Sequence, residues 1–209
     1  MIFLTGDTRS HELVARLRLN GWGRIWVDQK PTPYEGEPWG IDSGAFRDWS
    51  MGGTTDWGLY AERCHRAAEI GGCYLAVLPD LVARGEWSLD FSLEAPEMFG
   101  LPRDLPWYLA VQDGMVRGER ALADNDWIKG VFLGGTLRYK GSAPWWAGAA
   151  KEAGKLAHYG RCGVPKRVSF AKRLGYDSCD SAFPLWNKKR IGEIELALKG
   201  ELPQMEMQL

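Results

Sequence analysis

The sequence predicts a parallel (β/α)8 barrel, and three observations carry that prediction. Eight short apolar runs rich in Val, Ile, Leu and aromatic residues recur along the 209 residues, most of them followed directly by Gly, Pro or Asp. Segments of helical apolar period lie between most of these runs. Alternating strands and helices make βαβ units and hence a parallel sheet, and eight repeats close a barrel where a doubly wound sheet would more often use about five or six strands.

The first strand falls at residues 2–5 (IFLT), with its helix at 11–19. Residues 24–27 (RIWV) form the second. The stretch 28–38 that follows holds Pro31, Pro33, Gly36 and Pro38, which is too short and too broken for a crossover helix, so a loop takes that helix's place. Strands at 39–42, 74–78, 107–111, 130–133, 156–159 and 176–179 come next. Helices at 57–70, 89–98, 117–124, 145–153 and 166–174 separate them, and a last helix lies at 191–199. One compact barrel domain spans residues 1–200, and the tail 201–209 is expected to fray.

A composition of 45% hydrophobic and 25% charged residues is that of one globular domain rather than a disordered or membrane-spanning chain. The apolar runs fall far short of the roughly 20 residues that cross a bilayer, and the opening MIFLTGDTRS has no basic region before an apolar core. Membrane partners and secretion are therefore not expected. Cys64, Cys73, Cys162 and Cys179 show no Cys-x-x-Cys spacing, which argues against a disulfide framework or a zinc knuckle and for a reducing cytoplasm. Charge is uneven. Residues 155–190 hold nine Lys or Arg against Asp177 and Asp180, a net +7, so the rest of a chain of net charge -1 carries -8. Such a segment is either a phosphate-binding face or a solvated helix face, since clustering along the chain is not clustering in space.

Polar residues stand where apolar runs end, the face on which barrels carry their active sites. Asp42 ends WGID, Asp80 follows YLAVLP, Gln112 follows WYLAV, Gly134 and Gly135 follow GVFL, and Asp180 ends YDSCD. Each alone is an ordinary turn residue. Their recurrence on five strands predicts that three carboxylates, an amide and a glycine pair converge on one mouth.

Four of these strings also resemble motifs of the tRNA-guanine transglycosylases. IDSGAF is similar to the family's DSGGF/Y, AVQDG to its QGG/QGS, FLGGTL to its GGL, and GVPKRVSFAKRLGYDSCDSAFP to G-x-P followed by G-x-D-x-F-D-x-x-x-P. They occur in the family's order over residues 40–184. The short chain and the DSGAF variant look most similar to the transglycosylase-like proteins of 7-deazaguanine DNA modification, the DpdA family. Two departures are visible. No Cys or His follows Pro184, so the family's zinc subdomain and its structural metal are not expected, and Asp113 follows Gln112 where the family has Gly.

The resemblance implies a pentosyltransferase that replaces guanine in a polynucleotide, DNA in the first instance, with a 7-deazaguanine such as 7-cyano-7-deazaguanine. No cofactor is implied, and accessory modification proteins are possible partners. The same chemistry on tRNA or a free nucleotide, or a non-catalytic nucleic-acid-binding relative, are the alternatives. Breaking a glycosidic bond passes through an oxocarbenium-like state that a carboxylate near C1′ stabilises. The resemblance assigns that role to Asp180; Asp177 is the neighbour that strand parity sends to the other face. Asp42 matches the acid/base residue that protonates the departing base and deprotonates the incoming one, and it also suits a cap on the Ser43–Gly44 turn. Asp80 can accept from the two donors of a guanine edge while Gln112 reaches O6. Gly134 and Gly135 allow close backbone approach, Phe46 offers a stacking face, and Ser43, His158 and Arg161 complete the expected substrate-binding set.

Among the tryptophans, Trp26, Trp39 and Trp107 are expected in the core, and Trp49, Trp145, Trp146 and Trp186 are the stacking candidates. His11 and His65 are expected to be solvated or capping. An unrelated sugar hydrolase using two carboxylates would leave the ordered Gln112 and Gly134–Gly135 motifs unexplained. Retaining Asp42, Asp80 and Asp180 together argues against a silent relative, because buried acids are costly without a task.

Overall fold

Each apolar run has side chains to bury on two faces, and barrel closure supplies both. In a computed structural model, which describes residues 1–188 and 191–201, eight parallel strands pair in sequence order around a closed barrel. They are β1 (Ile2–Gly6), β2 (Gly23–Trp26), β3 (Trp39–Ile41), β4 (Cys73–Val77), β5 (Trp107–Val111), β6 (Ile128–Leu133), β7 (Leu156–Tyr159) and β8 (Ser178–Asp180). The closing pair sets Ile2 opposite Ser178 and Leu4 opposite Asp180. Leu4, Ile25, Leu75, Val77, Tyr108, Ala110 and Phe132 fill the interior. The alternate residues, such as Phe3, Leu109, Val131 and Cys179, pack outward against the helices.

The helices are α1 (His11–Asn20), α2 (Ala45–Ser50), α3 (Trp57–Ile70), α4 (Glu86–Met98), α5 (Gly118–Asp124), α6 (Ala143–Glu152), α7 (Pro165–Arg173), α8 (Phe183–Trp186) and α9 (Ile191–Lys199). Local chemistry sets their ends. The Ser10 side chain accepts from the Leu13 N–H to start α1, and Gly21, at φ 63°, ends it in the left-handed region. Asp56 caps α3 through the Leu59 N–H, and Tyr60, Cys64 and Ala67 form that helix's buried stripe.

The sequence reading is corrected in four places. The short helices α2 and α8 and a 3-10 turn at Tyr139–Ser142 were not predicted. The eighth strand starts at Ser178, leaving Tyr176 and Asp177 before it. Trp146, expected as a stacking candidate, is buried and donates from Nε1 to Tyr139 Oη at 3.0 Å, whereas Trp49, Trp145 and Trp186 are exposed. The basic segment is not one face. Lys155 bonds Asn125 O at the barrel's N-terminal end, Lys172 and Arg173 lie in the last turn of α7, and Arg161 stands at the opposite mouth. Lys189, Arg190 and residues 202–209 lie outside the described residues.

The loop expected in place of a helix between β2 and β3 is there, and a buried ion pair holds it. Arg24 Nη2 lies 2.6 Å from Glu37 Oε2, with side chains 6% and 0% exposed. The same guanidinium donates to Thr8 O and Thr32 O, and Tyr34 Oη donates to Trp22 O. Among the described residues no helix is long and apolar enough to cross a membrane, the four cysteines are free, and no group of three or more His, Cys, Asp or Glu side chains is arranged to hold a metal.

Candidate active site

Parallel strands deliver their C-terminal residues to one rim, and the predicted residues meet there. Asp42 follows β3 and its Oδ1 accepts the Gly44 N–H at 3.2 Å, so it caps the turn as well as facing the cavity. Gly44 has φ 79°, and a Cβ there would lie 2.9 Å from Val27. This tight turn launches α2, whose positions 46 and 49 share a face, and Phe46 and Trp49 stand 5.9 Å apart on the cavity wall. Ser43 Oγ lies 3.4 Å from Asp42 Oδ1 and 3.5 Å from Asp80 Oδ1, bridging the two carboxylates.

Gln112 is more constrained than expected. Its Oε1 accepts the Ala83 N–H at 2.7 Å, and its Nε2 lies 2.9 Å from Ser88 Oγ, 3.2 Å from Leu81 O and 3.3 Å from Asp80 Oδ2. The amide lines the cavity but is committed to the loop after β4, so its main work is to fix Asp80. Asp113, the departure noted in the sequence, ties two loops together. Its Oδ2 accepts the Thr136 N–H and its Oδ1 the Thr136 hydroxyl, both at 2.7 Å. Gly135 stands beside it at φ 73°, where a Cβ would lie 2.7 Å from Tyr139 and 2.8 Å from Asp113. Gly134 lines the same wall.

On the other side of the mouth, Asp180 Oδ1 receives the Arg161 backbone N–H at 2.8 Å and lies 3.0 Å from His158 Nε2. Both bonds fall on Oδ1, which leaves Oδ2 for an incoming group. His158 is fully buried, stacks on Phe132 with ring centroids 4.7 Å apart, and sets Nδ1 2.8 Å from Ser178 Oγ. His158 therefore lies beneath the mouth rather than lining it, because position 158 points into the barrel. Asp177 is turned away and accepts the Ala157 N–H at 2.8 Å. Arg161 has φ 49°, uncommon for a non-glycine. Its guanidinium lies 3.4 Å from the Phe46 ring centroid and donates to Gly135 O at 2.9 Å. Lys140, not anticipated from sequence, is buried and donates to Gly160 O and, at 3.4 Å, to Arg161 O, pinning the turn that aims the Arg161 N–H.

These residues enclose about 200 Å³, walled by Phe46, Trp49, Phe132 and small aliphatic side chains, with Asp42, Asp80, Gln112, Asp113, Thr136 and Arg161 as the polar groups. Asp180, 8% exposed, is not among the lining residues and is joined to the lining Arg161 through that residue's N–H. The three carboxylates differ electrostatically. Burial pushes Asp80 up to about 7, with the Asp42 charge adding to the effect. Burial also raises Asp42, opposed by the Gly44 N–H and reinforced by Asp180. For Asp180 burial acts upward too, but the hydrogen bond and charge of His158, the Arg161 N–H and the Lys140 charge outweigh it and hold the carboxyl below its ordinary range. A largely apolar cavity thus carries in Asp80 a carboxyl pushed toward the protonated form, near an Asp180 pushed toward the ionised one.

Fold and site together define a (β/α)8 barrel with a carboxylate-bearing cavity at its C-terminal mouth. No protein-family model and no curated protein matches the sequence. Among solved structures, the chain is similar to an HpcH/HpaI aldolase from Desulfitobacterium hafniense DCB-2, at 12% identity over 99% of this chain and 95% of that one, with a TM-score of 0.54. It also aligns with RipC from Yersinia pestis at 11% identity over 97% and 94%, with a TM-score of 0.45. At such identity the first likeness is one of barrel fold.

Proposed function

We propose that the protein is a base-exchange transglycosylase that removes guanine from a polynucleotide, DNA in the first instance, and installs a 7-deazaguanine. The observation that carries the reading is the pairing of an aromatic-walled cavity bearing Asp42 and Asp80 with Asp180, which is tied to the cavity-lining Arg161 through that residue's N–H and leaves Oδ2 unengaged. In this reading a purine enters beside the Arg161 guanidinium, which itself covers a face of the Phe46 ring, with its N1–H and exocyclic amine toward Asp80. Those two donors favour the ionised carboxylate, so binding is accompanied by release of the Asp80 proton to solvent. Asp180 Oδ2 attacks C1′ and the C1′–N9 bond breaks, its electron pair leaving with the base, which Asp42 protonates. The guanine departs. Asp42, now ionised, takes the N9 proton of the incoming 7-deazaguanine, whose nitrogen attacks C1′ and releases the Asp180 carboxylate.

The test is to incubate the protein separately with guanine-containing DNA, tRNA and dGMP, each with 7-cyano-7-deazaguanine, and to analyse the nucleosides by mass spectrometry. Appearance of the deazaguanine nucleoside with release of free guanine is expected with DNA. Exchange on tRNA or dGMP alone would change the substrate, and no exchange on any of the three would remove the reading.

A further inference from the structure

Replacing the second crossover helix by the 28–38 loop leaves the flank of β2 open beside α1. The resulting groove, about 760 Å³, runs down from the rim between the start of α1 and that loop. Arg9, His11 and Lys30 line it with Thr8, Gln29 and Tyr34, and no carboxylate is among its lining residues. Arg24 at its floor is already neutralised by Glu37. The wall also holds a donor with no acceptor: Trp26 is 3% exposed, lines the groove, and its buried Nε1–H has no hydrogen-bond partner. The amino end of the ten-residue α1 opens at the same place, behind its Ser10 cap. Donors and positive charge without a built-in counter-ion describe an anion site.

The groove and the mouth are linked by neighbouring residues rather than by one open channel. Lys30 lines both it and a neighbouring cavity of about 330 Å³ that includes Ser43, the residue bridging Asp42 and Asp80. With Lys30 counted to the groove, the middle cavity holds Arg47, Arg63 and Arg66 against Asp28, Asp48, Asp56 and Glu62, as in the Arg47 pairs with Asp28 and Asp48, so it adds shape and no positive charge. Excess positive charge reappears in the outer groove, away from the 155–190 segment that the linear charge pattern suggested.

We propose that this groove carries the phosphodiester backbone of a single-stranded polynucleotide whose target base enters the cavity at the mouth. The proposal rests on the base-exchange reading for the identity of that base, but the groove's ligand class follows from its own donors. Arg9 and Lys30 each take a phosphate, and Tyr34 offers a ring to a flanking base.

The experiment measures binding of fluorescein-labelled single strands of about 15 nucleotides, DNA and RNA of one sequence with a central guanine, by anisotropy between about 50 and 200 mM salt. Arg9→Glu/Lys30→Glu is compared with Lys166→Glu/Arg173→Glu, which makes the same charge change elsewhere; all four side chains are exposed, so both variants fold. The groove variant is expected to bind at least about tenfold more weakly at low salt, with the salt slope reduced by about 1.4, while the control changes about twofold. Equal weakening by both variants, wild-type affinity in the groove variant, or no binding by the wild type would each overturn the proposal. Base exchange with 7-cyano-7-deazaguanine is measured alongside, on the guanine-containing strands and on dGMP. Absence of exchange on every one of these substrates in a protein that binds strands through Arg9 and Lys30 removes the exchange reading and leaves the groove; exchange without strand binding through Arg9 and Lys30 does the reverse.

Discussion

His158 Nε2 stands 3.0 Å from Asp180 Oδ1 while its Nδ1 stands 2.8 Å from Ser178 Oγ, so one buried ring links a strand interior to the carboxylate at the rim. Strand parity puts the three side chains in line: 158, 178 and 180 all point inward, and Phe132 locks the ring by stacking. With Ser178 Oγ against Nδ1, the ring turns Nε2 toward Asp180.

Removing that ring is expected to cost stability in a pH-dependent way. Asp180 titrates below its ordinary range when folded, so it contributes stability that is present above the unfolded carboxyl value and lost as pH falls through the folded one. His158→Leu should therefore lower stability near neutral pH by about 2 kcal/mol, with the gap to wild type narrowing below about pH 4. His158→Gln, which can still donate, should recover a substantial part. Urea melts of the three proteins from acid to neutral pH check this, and a Leu variant as stable as wild type at pH 7 would show that the ring does not support Asp180.

Asp80 has the opposite sign. Its folded carboxyl is pushed up to about 7, so it holds a proton longer than the unfolded chain does, and stability declines as pH rises from the ordinary carboxyl range to about 7. Asp80→Asn is expected to match wild type near pH 4 and to exceed it at pH 8 by about 1–2 kcal/mol, while losing base exchange. Thermal melts at the two pH values give the comparison. A variant less stable than wild type at pH 8 would mean that Ser43 and Gln112 stabilise the ionised form more than burial opposes it.

The barrel was legible because each of its eight strands buries two faces, which writes an apolar run into the sequence whatever packs against it. The rim residues were legible for the same reason, as the first polar positions after those runs. What stayed hidden depends on distant partners or on short elements. Gln112 is held by Leu81, Ala83 and Ser88, at least 24 residues away, and no local pattern announces that. At six and four residues, α2 and α8 are too short for a period to register, although the Asp42–Ser43–Gly44 turn was a start signal for α2. Trp145 and Trp146 differ by about 100° around α6, and only the packed structure decides which faces in. Lys140 carries no local sign of burial, because the carbonyls that hold it belong to Gly160 and Arg161, 20 and 21 residues on.

Gly135→Ala tests the back wall. At φ 73° an alanine is strained, and its Cβ would come within 2.7 Å of Tyr139 and 2.8 Å of Asp113. Relief requires breaking the Asp113–Thr136 tie or moving the 3-10 turn. The substitution is expected to cost about 1–3 kcal/mol and to raise KM for the base more than it lowers kcat. Melting temperature together with steady-state exchange kinetics distinguishes this from a purely structural loss, in which KM would stay put for the folded fraction.

The nucleophile assignment is tested by a pair of neighbours. Asp180→Asn keeps the shape and the acceptor for the Arg161 N–H but cannot attack C1′ as an anion, so exchange should fall by at least about a thousandfold. Strand binding should hold or tighten, because one negative charge leaves the phosphate's surroundings. Asp177→Asn loses only the charge on the oxygen that accepts the Ala157 N–H, on the side away from the mouth, and should cost about 1 kcal/mol of stability with exchange nearly unchanged. Parity is what separates the two: Ser178 and Asp180 point inward, Cys179 packs outward against the helices, and Asp177 precedes the strand. An active Asp180→Asn beside a dead Asp177→Asn would move the nucleophile to 177. If both variants stayed active, no carboxylate of this motif would be the nucleophile, and the covalent mechanism would be wrong.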